Sequence, residues 1–143
     1  MIRMREILFR GKRNDTGEWV EGFYVCAGGK LHYILVGKIH IVYGNVEFIK
    51  CIVDPANIGQ YTGLKDRNGK RIFEGDIIQH GAEPAKVCFG EYAFDHEMKT
   101  HVGFYLEWIN KTYYRIDFGF WANEREIEVI GNIHDNPELL KEG

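Results

Sequence analysis

The side chains best suited to metal chemistry gather in one irregular stretch of the chain. Asp95, His96, Glu97 and His101 supply the carboxylate and imidazole groups that a hydrolytic metal ion needs. The two histidines are five residues apart, so a strand places them on opposite faces and a helix separates them by about 140°. Neither geometry brings both rings to one ion, and a solvated loop is the favoured interpretation.

A second stretch mixes aromatic and cationic side chains, as surfaces that bind single-stranded nucleic acid do. Its members are Tyr61, Lys65, Arg67, Lys70 and Arg71. Further basic residues stand near the N terminus, at positions 3, 5, 10, 12 and 13. The pattern makes these five residues the candidate ligand or nucleic-acid contact, although the interleaved acids Asp66 and Glu74 dilute its charge.

No other arrangement in the sequence points to catalysis. There is no G-x-S-x-G nucleophile motif. Gly63–Lys70 has one spacer residue too many for a phosphate-binding loop, and Arg71 follows where Ser or Thr would hold magnesium. We therefore predict no catalytic residue, no metal site and no cofactor.

Composition and charge set the class of protein. The 143 residues include 18 basic and 21 acidic side chains, a formal net charge of −3 that disfavours a general polyanion binder. Hydrophobic residues make up 45%, which is typical of a folded chain rather than a disordered one. The three cysteines form no C-x-x-C pair, no secretory signal is recognisable, and no apolar run could span a membrane. We expect a cytoplasmic protein with no membrane partner.

Alternating apolar residues predict half-buried antiparallel strands along most of the chain. Residues 102–108 alternate in this way, and residues 113–120 are interpreted as a further strand after a turn at Asn110-Lys111. Gly28-Gly29 and Asn68-Gly69 predict two-residue hairpin turns, the latter of type I′ with positive φ at both residues. About ten to twelve short strands favour a mainly β protein with a barrel-like or sandwich architecture.

Helix and boundary signals are few. Asn136-Pro137, followed by Glu138 and two leucines, predicts a short C-terminal helix, and Asp54-Pro55 predicts a single turn. The same break suggests two β subdomains, residues 1–53 and 54–143, with one compact domain as the alternative. Residues 123–143 hold six acids against two bases while the N-terminal stretch is basic, so copies could meet head to tail.

Several runs of residues resemble the YopX family. They are Met4–Lys12, Gly17–Gly22, Val53–Pro55, Ile58–Asp66, Asn68–Asp76, Val129–Ile133 and Asn136–Leu140. The resemblance implies a mainly β-stranded protein of phages, prophages and the bacteria that carry them. It also implies a tendency to form homo-oligomers, with no established activity and no catalytic residues to carry across.

Three functional hypotheses follow, in decreasing order of support. The first is a phage- or prophage-encoded, non-enzymatic β module that binds and self-assembles in the bacterial cytoplasm, with itself or a host or phage protein as partner. The second is single-stranded nucleic-acid binding on a small barrel, through the candidate contact residues of 61–71. The third is metal-dependent hydrolysis at residues 95–101.

Overall fold

The computed structural model describes residues 6–40, 43–94, 98–111, 113, 115–123 and 126–141. Its strands are β1 Phe9–Lys12, β2 Trp19–Ala27, β3 Leu31–His40, β4 Asn45–Ile52, β5 Gly59–Lys65, β6 Arg71–Phe73, β7 Asp76–His80, β8 Glu83–Tyr92, β9 His101–Trp108 and β10 Ile127–Asn132. The helical elements are α1, Phe118–Asn123, and the 3-10 turns Pro55–Asn57 and Pro137–Leu140.

These strands form two antiparallel sheets, with the orders β4-β3-β2-β1-β5-β6 and β10-β7-β8-β9. Strands make up 58% of the structure and helix is scarce, so the mainly β prediction is confirmed. Two open sheets fit the sandwich alternative, and the described strands do not close into a barrel. The chain divides into two compact units, residues 1–61 (unit 1) and 62–143 (unit 2), whereas the sequence suggests a boundary between residues 53 and 54.

In unit 1, one long strand changes partner halfway along its length. The first half of β2 pairs with β1 and the second half pairs with β3. The change occurs at Gly22, where any Cβ would overlap the carbonyl oxygen of Leu35. Only glycine permits so close an approach of two backbones. The buried apolar side chains of the described part of this unit are Ile34, Cys51, Val53 and Tyr61.

Unit 2 is built on a larger core. Its buried cluster consists of Ile72, Ile78, Ala85, Val87, Leu106, Trp108, Phe118, Trp121 and Ile127. The rings of Trp108 and Trp121 meet with centroids 4.9 Å apart. Both indole Nε1–H groups donate to the carbonyl oxygen of Arg115, at 3.0 and 2.9 Å. This shared acceptor lets both large rings be buried without an unpaired donor.

The strand predicted over residues 113–120 is confirmed only in part: Asp117 forms an antiparallel bridge with Tyr105 of β9, but the end of the segment is helix α1. Residue 114 lies outside the described residues. Phe118 and Trp121 are three residues apart, so one helical turn directs both rings to the same side, where they join the core. Alternating aromatics resemble a strand when only parity is considered. The turn before this segment is confirmed, since Lys111 N–H donates to the Trp108 carbonyl oxygen and Lys111 has a φ of 54°.

The turn predictions fare differently at the two hairpins. Gly28 and Gly29 have φ of 61° and 69°, and Lys30 N–H donates to the Ala27 carbonyl oxygen, so this hairpin is confirmed. At Asn68-Gly69 only Gly69 has a positive φ, so the type I′ assignment is wrong. A turn that begins one residue earlier replaces it, with Gly69 N–H donating to the Asp66 carbonyl oxygen.

The two Asx-Pro signals both mark 3-10 turns. Asp54 Oδ1 accepts a hydrogen bond from Ala56 N–H at 2.9 Å and so caps the first turn as expected. At the C terminus the predicted helix is the single 3-10 turn Pro137–Leu140, and Asn136 makes no side-chain cap there. Its Oδ1 accepts instead from Asn132 N–H at 3.2 Å, which holds the chain that leaves β10.

Candidate interaction surface

The five predicted contact residues do not form one surface. Tyr61 is only 4% exposed and belongs to the core of unit 1, so its ring offers no open platform for a base. The four cations lie together around the β5–β6 hairpin of unit 2. Arg67 Nη2 donates to Glu128 Oε2 at 2.6 Å, which offsets one of the four charges. The nucleic-acid hypothesis therefore depends on the remaining cations alone.

The same hairpin is held by a buried carboxylate. Asp66 is 8% exposed, and its Oδ1 accepts from the backbone N–H groups of Asn68 and Lys70, both at 2.9 Å. Its Oδ2 accepts from Val129 N–H at 2.9 Å and so fastens the loop to β10. A carboxylate that accepts three backbone donors is a strong local organiser. The central run that resembles the YopX family thus includes a residue with a structural role.

The proposed metal ligands cannot be assembled from the described residues. Asp95, His96 and Glu97 lie outside those residues, and His101 lies on β9, where its ring stacks on Tyr92 at 5.3 Å between centroids. Within the described ranges, no group of three or more His, Cys, Asp or Glu side chains could hold a metal ion. Among all the described residues, no helix is long and apolar enough to cross a membrane.

The three cysteines are free thiols in different surroundings. Cys26 is exposed, Cys51 is buried, and Cys88 is half-buried on β8. Burial raises the pKa of Cys88 to about 11. The thiol of Cys88 therefore stays protonated at neutral pH, and a protonated thiol is a poor nucleophile.

A surface that the sequence analysis did not single out lies on one side of β2, β3 and β4. Directly paired residues of antiparallel strands point to the same side, so the register defines its members. The large apolar ones whose side chains are described are Phe23, Val25, Leu31, Tyr33, Leu35, Val46, Phe48 and Ile52. We call this set, with Lys50, the apolar face. Six of these side chains (Phe23, Val25, Leu31, Val46, Phe48 and Ile52) are between 40% and 56% exposed.

The apolar face is continuous across the three strands because β3 carries a glycine at its centre. A Cβ at Gly37 would lie 3.4 Å from the ring of Phe48, so this ring rests where a side chain would otherwise stand. The rings of Phe48 and Phe23 meet above β3 with centroids 6.3 Å apart. Lys50 Nζ lies 5.8 Å from the ring centroid of Tyr33. Lys50 is the one charged side chain among the described residues of this side that pair between β2 and β3 or between β3 and β4. Glu21 follows on the same side of β2, two residues before Phe23.

The sequence does carry a signal for this surface. Residues 33–36 read Tyr-Ile-Leu-Val, a run that is apolar at both parities. Such a run is typical of a strand with both sides covered. Ile34 on the inner side is buried. On the outer side, the residues paired with Tyr33 and Leu35 are exposed, namely Val25, Ile52 and Phe23. The apolar face therefore has the composition of a strand surface that other residues cover, although its side chains are exposed.

Comparison with known proteins identifies a family and a shared fold. The YopX protein family matches residues 8–141. The crystal structure of protein EF1440 from Enterococcus faecalis is similar over 96% of this chain and 100% of that chain, with a TM-score of 0.54 and 24% identity. None of the curated proteins matches. At this identity the likeness shows a common fold.

Proposed function

We propose that this chain, which belongs to the YopX protein family, is a phage- or prophage-encoded, non-enzymatic binding module that associates with copies of itself. The observation that supports this proposal is the apolar face of unit 1. The largest apolar patch of a typical monomeric protein covers about 300–600 Å² and is often functional. The three strands of the face offer about 400 Å² of surface, from strand spacing and rise per residue.

The size of the apolar face sets the strength expected of the contact. A standard stable interface buries about 800 Å² on each partner. The face alone supplies about half of that, so self-association through it is weak and depends on concentration. Aromatic side chains carry a large share of interface free energy, which makes Phe23 and Phe48 the residues whose loss is felt most.

Sedimentation equilibrium from about 1 to about 100 µM protein tests this proposal, because that range brackets weak assembly. We expect the average mass to rise above the monomer mass with concentration. Phe48→Glu places a carboxylate in the face, and we expect it to weaken association by at least about 10-fold, as loss of a central aromatic residue does. A wild-type chain that stays monomeric at the highest concentration overturns the proposal.

Ile7→Glu is the matched control, because it makes the same apolar-to-acid change at a residue of unit 1 that is 56% exposed and lies outside the apolar face. It should assemble like the wild type. Circular dichroism and urea unfolding of both variants show whether the fold is retained. Since Phe48 is 48% exposed, its replacement should leave the fold intact.

A further inference from the structure

A smaller apolar patch lies towards the outer end of the β8–β9 hairpin in unit 2. Phe89 pairs with Phe104 and Glu91 pairs with Val102, so these four side chains share one side of the hairpin. We call them the β8–β9 patch. Phe89 is 48% exposed and Val102 is 72% exposed. The two phenyl rings meet edge to face with centroids 4.9 Å apart.

The patch arises because the hairpin extends beyond the core of its unit. Val87 and Leu106 form the next pair along the same side and are buried in the cluster of unit 2. The apolar alternation continues past them to Phe89 and Val102, which that cluster does not cover. The outer end of the hairpin therefore presents apolar side chains on a narrow, two-stranded projection.

Charge makes the apolar face and the β8–β9 patch complementary. The face contains one cation, Lys50, and the patch contains one anion, Glu91. Over the whole units the same difference holds. Residues 1–61 carry eight basic and six acidic residues, a net charge of +2. Residues 62–143 carry ten basic and fifteen acidic residues, a net charge of −5.

We propose that the apolar face of one copy binds the β8–β9 patch of a second copy. This inference rests on the proposed self-association and specifies how it occurs. The contact buries apolar side chains on both partners and brings Lys50 towards the second copy's Glu91. A contact between two apolar faces would instead bring two copies of Lys50 into one interface without Glu91, and like charges placed together at an interface are costly.

The use of two different surfaces has a consequence for the assembly. Each copy that contributes its apolar face still has its own β8–β9 patch free, and the reverse also holds. Such head-to-tail contacts continue until a ring closes or form an open chain. The assembly therefore grows beyond a dimer, whereas a contact between two identical faces ends at one.

A mixing experiment tests the inference by sedimentation velocity. Phe48→Glu blocks the face and leaves the patch intact, and Val102→Glu blocks the patch and leaves the face intact. We expect each variant alone to be monomeric at a concentration at which the wild type forms species larger than a dimer. Mixed in equal amounts, the two variants should form a dimer and nothing larger, because each pair retains one intact face and one intact patch.

The outcomes separate this inference from the proposed function. If Val102→Glu assembles like the wild type, the patch is not used and the inference is wrong, while self-association stands. If both variants are monomeric and their mixture is too, the contact does not join these two surfaces. A monomeric wild type overturns both proposals.

Charge reversal tests the central ion pair. Lys50→Glu and Glu91→Lys should each weaken assembly by about 5- to 10-fold, within the range of coupling energies between residues in contact. The double variant should recover most of the loss, because it restores opposite charges. If the association of the double variant is weakened by as much as both single changes together, Lys50 and Glu91 are not in contact.

Discussion

The two units differ in how they treat their apolar side chains. In unit 2 nine buried residues form one cluster, in which the rings of α1 pack against residues of β8 and β9. Among the described residues of unit 1, four apolar side chains are buried, while six on the apolar face remain substantially exposed. Burial of apolar area is the main favourable term in folding. Unit 2 obtains that term within its own chain, whereas unit 1 leaves part of its apolar area exposed.

The cause of the difference is visible in the small residues of unit 1. Gly22 sits at the point where β2 changes partner, and Gly11 faces the core where a Cβ would lie 3.0 Å from Val53 and 3.1 Å from Ile34. Glycine at these positions lets the backbones approach but contributes no side chain to the core. Unit 2 instead fills its core with two tryptophans and Phe118, which bury far more area for each residue.

The largest expected effect is at the core of unit 2. Trp108→Ala removes a buried indole that packs on Trp121 and Tyr113, and should lower the free energy of unfolding by about 3–5 kcal/mol. Urea unfolding followed by circular dichroism measures this. Phe48→Ala on the apolar face is the comparison, and should cost less than about 1 kcal/mol. Equal losses for the two variants would contradict the distinction between the units.

The sequence predicts most of the strands but not which of their sides is covered. Alternation identifies β8 and β9 because each residue's side follows from parity alone. The apolar run at residues 33–36 marks both sides of β3 as apolar, but it does not show that the outer side is exposed, because exposure depends on which elements pack over a strand. Helix α1 is missed for the same reason, since the packing of Phe118 and Trp121 against the core decides between strand and helix.

The predicted site shows a similar limit. Residue types correctly suggest a charged hairpin at 65–71, but they do not reveal that Arg67 pairs with Glu128 or that Asp66 reaches Val129. These partners are about sixty residues away in sequence, and only the pairing of distant strands brings them together. Local turn statistics likewise favour type I′ at Asn68-Gly69, whereas the backbone bonds to Asp66 select the earlier turn.

A smaller loss is expected when the buried carboxylate of unit 2 is removed. Asp66→Ala leaves three backbone N–H groups without their acceptor and should cost about 2–3 kcal/mol. Asp54→Ala in unit 1 is the matched control, since Asp54 is exposed and caps a single N–H group. We expect that variant to lose about 1 kcal/mol. Urea midpoints that fall equally in both variants would show that Asp66 has no special role.

The smallest effect expected is a difference between the two units in their resistance to urea, which the cysteines can report. In a Cys26→Ser background Cys51 probes unit 1 and Cys88 probes unit 2, because neither is openly exposed in the folded chain. The pKa of Cys88 is about 11 in the folded chain and 9.0 without burial. This raised pKa favours folding below pH 9, and the contribution is lost as the pH rises through 11.

Thiol labelling at pH 8 therefore leaves that contribution intact while urea is varied. Since unit 1 buries fewer apolar side chains, Cys51 should become reactive at a urea concentration about 0.5–1 M lower than Cys88. Phe48→Glu should not move either midpoint at a protein concentration too low for assembly, because the face then has no partner to lose. Trp108→Ala should lower the midpoint of Cys88 to that of Cys51 or below it. If Cys51 and Cys88 react together in the wild type, the two units unfold as one, and the small core of unit 1 is not a source of lower local stability.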